Sequence, residues 1–454
     1  MTSSQSAVVL QAYRYALDPS PRQRGALASH AGASRFAYNW GLELFQQRLE
    51  ARASGQDVHV PWSLVELRRE WNQAKHAVAP WWAENSKEAY SSGLDGLARA
   101  LKNWQDSKYG RRAGARMRFP VRKRKGRGTE SCRFTTGAIR VEADRHHVTL
   151  PRLGRIHTHE STRKLARRIE QGSARIMTAT VTRTGDRWFV SFSCQVTRRI
   201  ARPRQPRAAI GVDVGIRHLA VLSDGRLISN PTPLLRAQRR LRRLNRQLAR
   251  RRGPRTTDGF RRDPSAGWRQ TRRRLGREHA RVANVRHNGL HKLTSELVDT
   301  YGTIVIERLN VAGLAKNRSL ARGLADASPG TLHRQLAYKT VWAGSALIEA
   351  GRFFPSSKIC SGCGHVKAKL PLSEREYRCE RCGLVLDRDL NAARNLAALV
   401  TSNESPGVAR RQETPVDGDG ACGSAGWSSM KREAGTRSRG LDKTGTADWQ
   451  RPAT

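Results

Sequence analysis

The sequence predicts a multidomain α/β protein, and three observations carry that prediction. Two short apolar strands each end in a carboxylate, Ile210-Gly-Val-Asp213 and Thr303-Ile-Val-Ile306-Glu307, with long helical periodicity between them. A block from Ser131 to Val196 alternates apolar and polar residues, the period of antiparallel strands. Two Cys-x-x-Cys pairs, Cys360/Cys363 and Cys379/Cys382, are separated by 15 residues, which lets two tight knuckles face each other around one tetrahedral zinc.

Element by element, Val8 to Leu17 reads as a strand ended by Pro19-Ser20-Pro21, and Arg22 to Ala51 carries Leu27, Phe36, Leu42, Phe45 and Leu49 at helical spacing. Helical spacing continues through Trp62, Leu64, Leu67 and Trp71 and through Leu94, Leu97, Leu101 and Trp104. A basic break at Arg111 to Arg127 follows, either a solvated linker or a phosphate-contacting loop in which Arg122 and Lys123 are candidates. In the alternating block, Ile176 to Val181 and Trp188 to Val196 form a hairpin around Thr184-Gly185-Asp186. After a basic, proline-interrupted linker a new unit begins near Ala208, with a strand ending at Asp213, a second strand His218 to Leu222 and a turn at Asp224-Gly225. Leu234, Leu241, Leu244 and Leu248 mark one helix face, and Trp268 to about Asp299 a second long helix. Leu336 to Ala350 reads as a further helix, Arg352 to Pro355 as a short strand entering the cysteine pairs, and Leu390 to Leu399 as the last helix. Beyond Val400 no apolar period remains, and disorder is expected.

Charge narrows the partners. The 454 residues hold 84 Lys and Arg against 38 Asp and Glu, a formal net charge of +46, so a compact fold repels itself unless a polyanion neutralises it. Nucleic acid is the expected partner, since no apolar run approaches membrane-spanning length. Between Arg236 and Arg255 stand ten arginines and no acid. Arg239, Arg240, Arg242, Arg243 and Arg246 are accordingly the candidates for phosphate contact, against the plainer reading of a solvated helix face. The polar N-terminus reads as no secretory signal, which places the protein in the cytoplasm, and Cys132, Cys194 and Cys422 form no disulfide framework.

Acids in so basic a chain need a reason. Taken singly, Asp213, Glu307 and Asp389 could be strand-end turns, helix caps or arginine partners. If they converge, three carboxylates suit two magnesium or manganese ions rather than zinc, with one ion activating water and the other stabilising a leaving 3′-oxygen. Asp387 rivals Asp389 by spacing alone, while Asn391 and Asn395 read as capping or supporting hydrogen-bond partners.

Ile210-Gly-Val-Asp213-Val-Gly-Ile216, Ile304-Val-Ile-Glu307-Arg-Leu-Asn310, Phe354-Pro-Ser-Ser-Lys358-Ile-Cys360-Ser-Gly-Cys363-Gly364 and Asp387-Arg-Asp389-Leu-Asn-Ala-Ala-Arg-Asn395 occur in one order. With Gln11-Ala-Tyr13-Arg-Tyr15 and Gly32-Ala-Ser-Arg35-Phe-Ala-Tyr-Asn39-Trp40, they make residues 8 to 400 resemble the TnpB (OrfB) family of transposon-encoded proteins, relatives of the compact type V CRISPR effectors. The resemblance departs at Ser34, where the family often has cysteine, and in the tail, to which it assigns no role.

That resemblance implies an RNase H-like (RuvC-like) nuclease domain with an inserted zinc ribbon, preceded by a β-barrel-like wedge module that carries an inserted helical recognition domain. In residue numbers, 1–18 is the first wedge strand, 19–128 the recognition domain and basic linker, and 129–205 the rest of the wedge. The nuclease domain follows at 206–354, the ribbon at 355–386, the last nuclease motif at 387–400 and the tail at 401–454. It further implies an RNA-guided DNA endonuclease that binds a guide RNA from the transposon end and cuts double-stranded target DNA beside a short adjacent motif. Asp213, Glu307 and Asp389 would hold Mg2+ or Mn2+, Cys360, Cys363, Cys379 and Cys382 would hold Zn2+, and a monomer on its RNA would suffice. Some relatives lack the acids and act as guided repressors; here all three are present. Two other readings remain open: a nucleic-acid-binding regulator that does not cleave, and a transposase that catalyses strand transfer itself.

Overall fold

The computed structural model describes residues 6–126, 128–200, 202–257, 260–371, 373–400 and 409–410, with backbone alone at 255–257, 260–262 and 409–410. Strand β1 (Ser6–Asp18) runs into Pro19 and the Ser20 cap, where Ser20 and Gln23 satisfy each other's backbone amides and Pro21 starts α1 (Pro21–Ala53). The same reciprocal cap, Ser63 with Glu66, starts α2 (Leu64–Val78), and Ser86 caps α3 (Lys87–Lys108). Helices α1 and α3 cross in backbone contact, because a Cβ at Gly93 would lie 2.1 Å from the Ser34 carbonyl oxygen. Phe36, Trp40, Trp71, Trp81 and Tyr90 pack against one another beside that crossing.

The chain then returns to the first strand. It forms β2 (Glu130–Phe134), β3 (Arg140–Val141), β4 (His147–Leu150), β5 (Gly154–Thr158), α4 (Arg163–Glu170), β6 (Ala174–Thr184) and β7 (Arg187–Arg199). Together with β1 the strands make a seven-stranded antiparallel sheet in the order β2-β6-β7-β1-β5-β4-β3. Strand β1 is central, paired with β7 from Ser6 opposite Arg199 to Leu17 opposite Trp188. The expected barrel is not closed: β2 and β3 are the two ends of the ladder, and no pairing joins them among the described residues. Buried Cys132 and Cys194 sit on β2 and β7, as ordinary core residues. Helix α4 has no counterpart in the sequence reading, since its arginines hide a short apolar face at Leu165 and Ala166.

A second sheet starts at β8 (Gln205–Asp213), followed by β9 (His218–Leu222) and β10 (Leu227–Ser229). The helices α5 (Pro233–Arg250) and α6 (Ala266–Thr300) flank a short hairpin of β11 (Arg255–Thr257) and β12 (Phe260–Arg262), and β13 (Tyr301–Glu307) follows. Next come α7 (Val311–Leu314), α8 (Arg318–Ala327), α9 (Pro329–Ala343) and β14 (Ala346–Ala350). The sheet order is β10-β9-β8-β13-β14, with β8, β9 and β10 antiparallel and β8, β13 and β14 parallel. Its core is Ile210, Val212, Leu222, Leu290, Leu297, Ile304, Ile306 and Leu336.

The segment read as one helix over 336–350 is the end of α9 plus β14. Gly344, at φ +68°, caps the helix in the left-handed region and turns the chain into the sheet. Arg352 to Pro355, read as a strand, is a turn, closed by the Phe354 amide on the Gly351 carbonyl. The last elements are β15 (Glu376–Arg378), β16 (Val385–Asp387), α10 (Arg388–Ala398) and β17 (Ala409–Arg410), the last pairing with β14. The tail over 401–454, expected to be disordered, and its Cys422 lie outside the described residues, save for β17. Among the described residues no helix is long and apolar enough to cross a membrane.

Candidate active site

Asp213 ends β8 and Glu307 ends β13. These strands are parallel neighbours, with Ile306 opposite Val212, so both carboxylates leave the same end of the sheet one strand spacing apart. Helix α10 brings the third acid. It lies directly on β8, where a Cβ at Gly211 would meet the Ala393 carbonyl oxygen at 1.9 Å, and Asp389 stands in its first turn.

The acids feel one another. Burial pushes the Asp213 carboxyl up to about 8, and repulsion from Glu307 and then Asp389 adds to it, partly offset by Arg388. Burial also raises Glu307, opposed by a hydrogen bond from the Ser356 hydroxyl to its Oε1. Asp387 is distinguished from Asp389 by its work: it caps α10, accepting from the amides of Asp389 (3.0 Å) and Leu390 (3.1 Å). Arg388 lies 3.4 Å from Asp389 and donates to the Glu374 carbonyl at 3.2 Å, which ties the acidic end of α10 to the ribbon. A cavity of about 470 Å³ opens beside Glu307, with Arg308 and the contact of His333 Nε2 with Glu349 Oε1 (2.8 Å) on its wall. The three acids share one end of the sheet, and hard oxygen donors that repel one another are the donor type that suits magnesium or manganese, but among the described residues only the four cysteines have their ligand atoms drawn close enough to share one ion.

The four cysteines form a second centre. Their sulfurs all lie within 4.8 Å of one another, with Cys360 to Cys382 and Cys363 to Cys379 both at 3.6 Å. A tetrahedral site with Zn–S of about 2.3 Å places its sulfurs about 3.8 Å apart, so the set fits zinc. The two knuckles repeat one construction. Cys360 N donates to His365 O and Cys379 N to Leu384 O, both at 2.8 Å, with Gly364 (φ +76°) and Gly383 (φ +72°) supplying the left-handed residue after each pair. Tyr377 fills the space beneath and donates to the Lys358 carbonyl at 3.2 Å.

Asn391 and Asn395 link the centres. The Asn391 amide donates to Ile359 O (2.7 Å) and its oxygen accepts from Ser361 N (2.9 Å), while Asn395 donates to Ser356 O and Ile359 O, both at 2.7 Å. Ser356 lies inside the Phe354-Pro-Ser-Ser-Lys358 stretch that carries the family resemblance, but no role was read for it from the sequence.

The basic candidates divide. Arg239, Arg240, Arg242, Arg243 and Arg246 are exposed on α5. A cleft of about 350 Å³ between α5 and α6 is lined by Arg240 and Arg243 from one helix and Arg274 and Arg277 from the other. Glu278 pairs with Arg240 at 3.2 Å and Asp186 with Arg277 at 2.6 Å. The arginines of α6 were not singled out from the sequence, although Arg272-Arg273-Arg274 gives the same kind of signal as the run on α5. Arg122 and Lys123 lie apart from this cleft on the linker over α1. Arg122 faces Glu43 at 3.5 Å, and Lys123 sits 3.8 Å over the Tyr38 ring, its backbone bonded to Asn39 at 2.7 and 2.9 Å.

Fold and site thus define an α/β protein with a carboxylate cluster at a sheet end, braced by a four-cysteine ribbon. The OrfB_IS605 family profile, described as "Probable transposase", matches residues 191–318, and a Cas12f1-like TNB domain profile matches 330–396. A helix-turn-helix profile of the same family matches 7–54, which here is β1 followed by the single helix α1. Proteins of two Mycobacterium tuberculosis strains, named as candidate RNA-guided DNA endonucleases, are 41% identical over 86% of this chain and 86% of their own. InsQ of Escherichia coli K12, named likewise, is 28% identical over 86% of this chain and 92% of its own. The chain belongs to the TnpB (OrfB) family. Among solved structures, a Cas12f1–sgRNA–target DNA complex covers 86% of this chain and 99% of its own at 14% identity, with a TM-score of 0.44, too loose a likeness to build on.

Proposed function

We propose that this protein is an RNA-guided DNA endonuclease with an RNase H-like (RuvC-like) catalytic domain, in which Asp213, Glu307 and Asp389 hold two magnesium ions. The observation that carries this reading is the arrangement of Asp213 and Glu307 at the ends of neighbouring parallel strands, with Asp389 close enough to raise the Asp213 carboxyl. Support comes also from the sheet, an antiparallel meander extended by two parallel strands reached through helices, and from the names of relatives that share most of the chain. Cations held by Asp213, Glu307 and Asp389 would supply Lewis acidity for hydrolysis of a phosphodiester. The chain's residues do the rest. Asp213 gives up its proton when the site fills, Asp387 and the Gly211 contact keep Asp389 over β8, and the arginines of α5 and α6 hold phosphates through charge rather than sequence.

In this reading the seven-stranded sheet is the wedge module and α1 to α3 the recognition domain. Guide RNA from the transposon end pairs with target DNA beside a short adjacent motif. The four cysteines hold zinc as a structural brace, and one chain suffices, because Asp213, Glu307 and Asp389 all lie on it. The test is to express the protein with its flanking transposon-end DNA, sequence the RNA that copurifies, and challenge a matching plasmid library with magnesium. A discrete RNA, with cleavage that requires both the match and Asp213, is the expected result. Discrete RNA with equal inertness of the parent and Asp213→Ala would replace it with a guided binder.

A further inference from the structure

We infer that Ser356 is a positioning residue for Glu307, and that the ribbon, through Asn391 and Asn395, sets the orientation of that carboxylate. The inference rests on the reading of Glu307 as a cation ligand. Glu307 stands at the end of a strand on a long, rotatable side chain, which several rotamers would aim differently. The Ser356 hydroxyl donates to one of its oxygens, Oε1. A neutral, single-proton donor suits this position: it fixes the carboxylate yet leaves the other oxygen free, whereas a lysine or arginine would compete with a cation for the charge.

Ser356 is itself held firmly. It is 4% exposed, its amide donates to the Phe354 carbonyl at 2.9 Å, and its carbonyl accepts the Asn395 amide at 2.7 Å. Phe354 packs with Val305, Ile348, Ala350 and Leu396, so the turn is anchored in the core between β13, β14 and α10. Four residues on, the chain reaches Cys360, and the residues on either side of that cysteine are gripped by Asn391 and Asn395. Asn391 and Asn395 are one helical turn apart on α10, and both are buried, at 0% and 5% exposure. The helix that carries Asp389 thereby also holds the first knuckle and the serine that orients Glu307. Ordering of the ribbon is transmitted to the acidic site by a short run of hydrogen bonds, each between groups with little freedom to move.

The experiment uses the full chain with its copurified RNA and compares parent, Ser356→Ala, Ser356→Thr and Asn395→Ala. It measures Mn2+ binding by calorimetry, kcat and KM for target cleavage, and thermal melting. Ser356→Ala is expected to weaken Mn2+ binding about 10–100-fold, the usual effect of losing a partner of a metal ligand, and to lower kcat with KM and melting unchanged. Threonine, which keeps the hydroxyl, is expected to restore both. Asn395→Ala should shift Mn2+ binding in the same direction, and it decides the question if Ser356→Ala does not fold. Mn2+ affinity and kcat of the alanine variants equal to the parent's overturn the inference, as does a loss that threonine fails to restore. Full cleavage by Glu307→Ala would instead overturn the nuclease reading of the acids, while the Mn2+ titrations would still report whether Ser356 acts on Glu307.

Discussion

Gly211 and Ala393 touch through their backbones: a Cβ on Gly211 would sit 1.9 Å from the Ala393 carbonyl oxygen and 2.7 Å from the Ala397 amide nitrogen. No side chain separates β8 from α10, and the acid that ends the strand, Asp213, is brought to the acid that opens the helix, Asp389.

Gly211→Ala should therefore act on the site without altering an acid. The clash is with backbone, which no rotamer relieves, so α10 must move, at a cost of about 2–3 kcal/mol or more, the upper part of the range for overpacking. The expected result is a lowered melting temperature and loss of cleavage with copurified RNA retained. Cleavage and melting like the parent's would show that α10 tolerates the added methyl and that its seating on β8 is not what aligns the acids.

Proton release should accompany cation binding. Without cations Asp213 keeps its proton in the native state up to a pH of about 8, whereas an unfolded aspartate ionises near 4. The native state therefore binds the extra proton between those values, and the stability that Asp213 contributes is complete below about pH 4 and lost as pH rises through 8. Glu307 shifts in the same direction. A cation must displace the proton, so its affinity should climb with pH up to about 8. Calorimetry in two buffers of different ionisation enthalpy should detect proton release near pH 7, lost in Asp213→Asn; binding with no proton release in the parent would count against a protonated Asp213.

Removing zinc should be felt at α10. Cys360→Ser takes a ligand from the knuckle whose flanking backbone is bonded to Asn391 and Asn395. The variant is expected to lose bound zinc and to show faster amide exchange across residues 388–398. Full zinc content, or unchanged exchange in that helix after the metal is lost, would dissociate the ribbon from the acidic site.

Charge on the α5–α6 cleft should be visible as salt dependence. Each phosphate contact removed lowers the slope of log K against log[salt] by about 0.7–0.9. Arg243→Ala with Arg274→Ala, one from each wall, is expected to reduce the slope by roughly twice that amount. A slope unchanged in the double variant would place the nucleic acid elsewhere on the protein.

Sequence alone determined the features that depend on near neighbours along the chain. The cysteine pairs were legible because a metal knuckle needs its ligands two residues apart, and the strands ending at Asp213 and Glu307 because apolar runs closed by an acid are local patterns. Where two periods fit equally, local pattern misled: residues 336–350 suit one helix as well as a helix and a strand, and only pairing of β14 with β13 decided between them. The open edge of the first sheet, the division of labour between Asp387 and Asp389, the cleft that Arg240 and Arg243 line together with Arg274 and Arg277 of α6, and the hydroxyl of Ser356 on Glu307 were likewise decided by tertiary structure. Each joins groups whose meeting depends on how strands and helices pack, and packing is settled by burial and backbone contact such as that at Gly211, which leave no periodic trace in the chain.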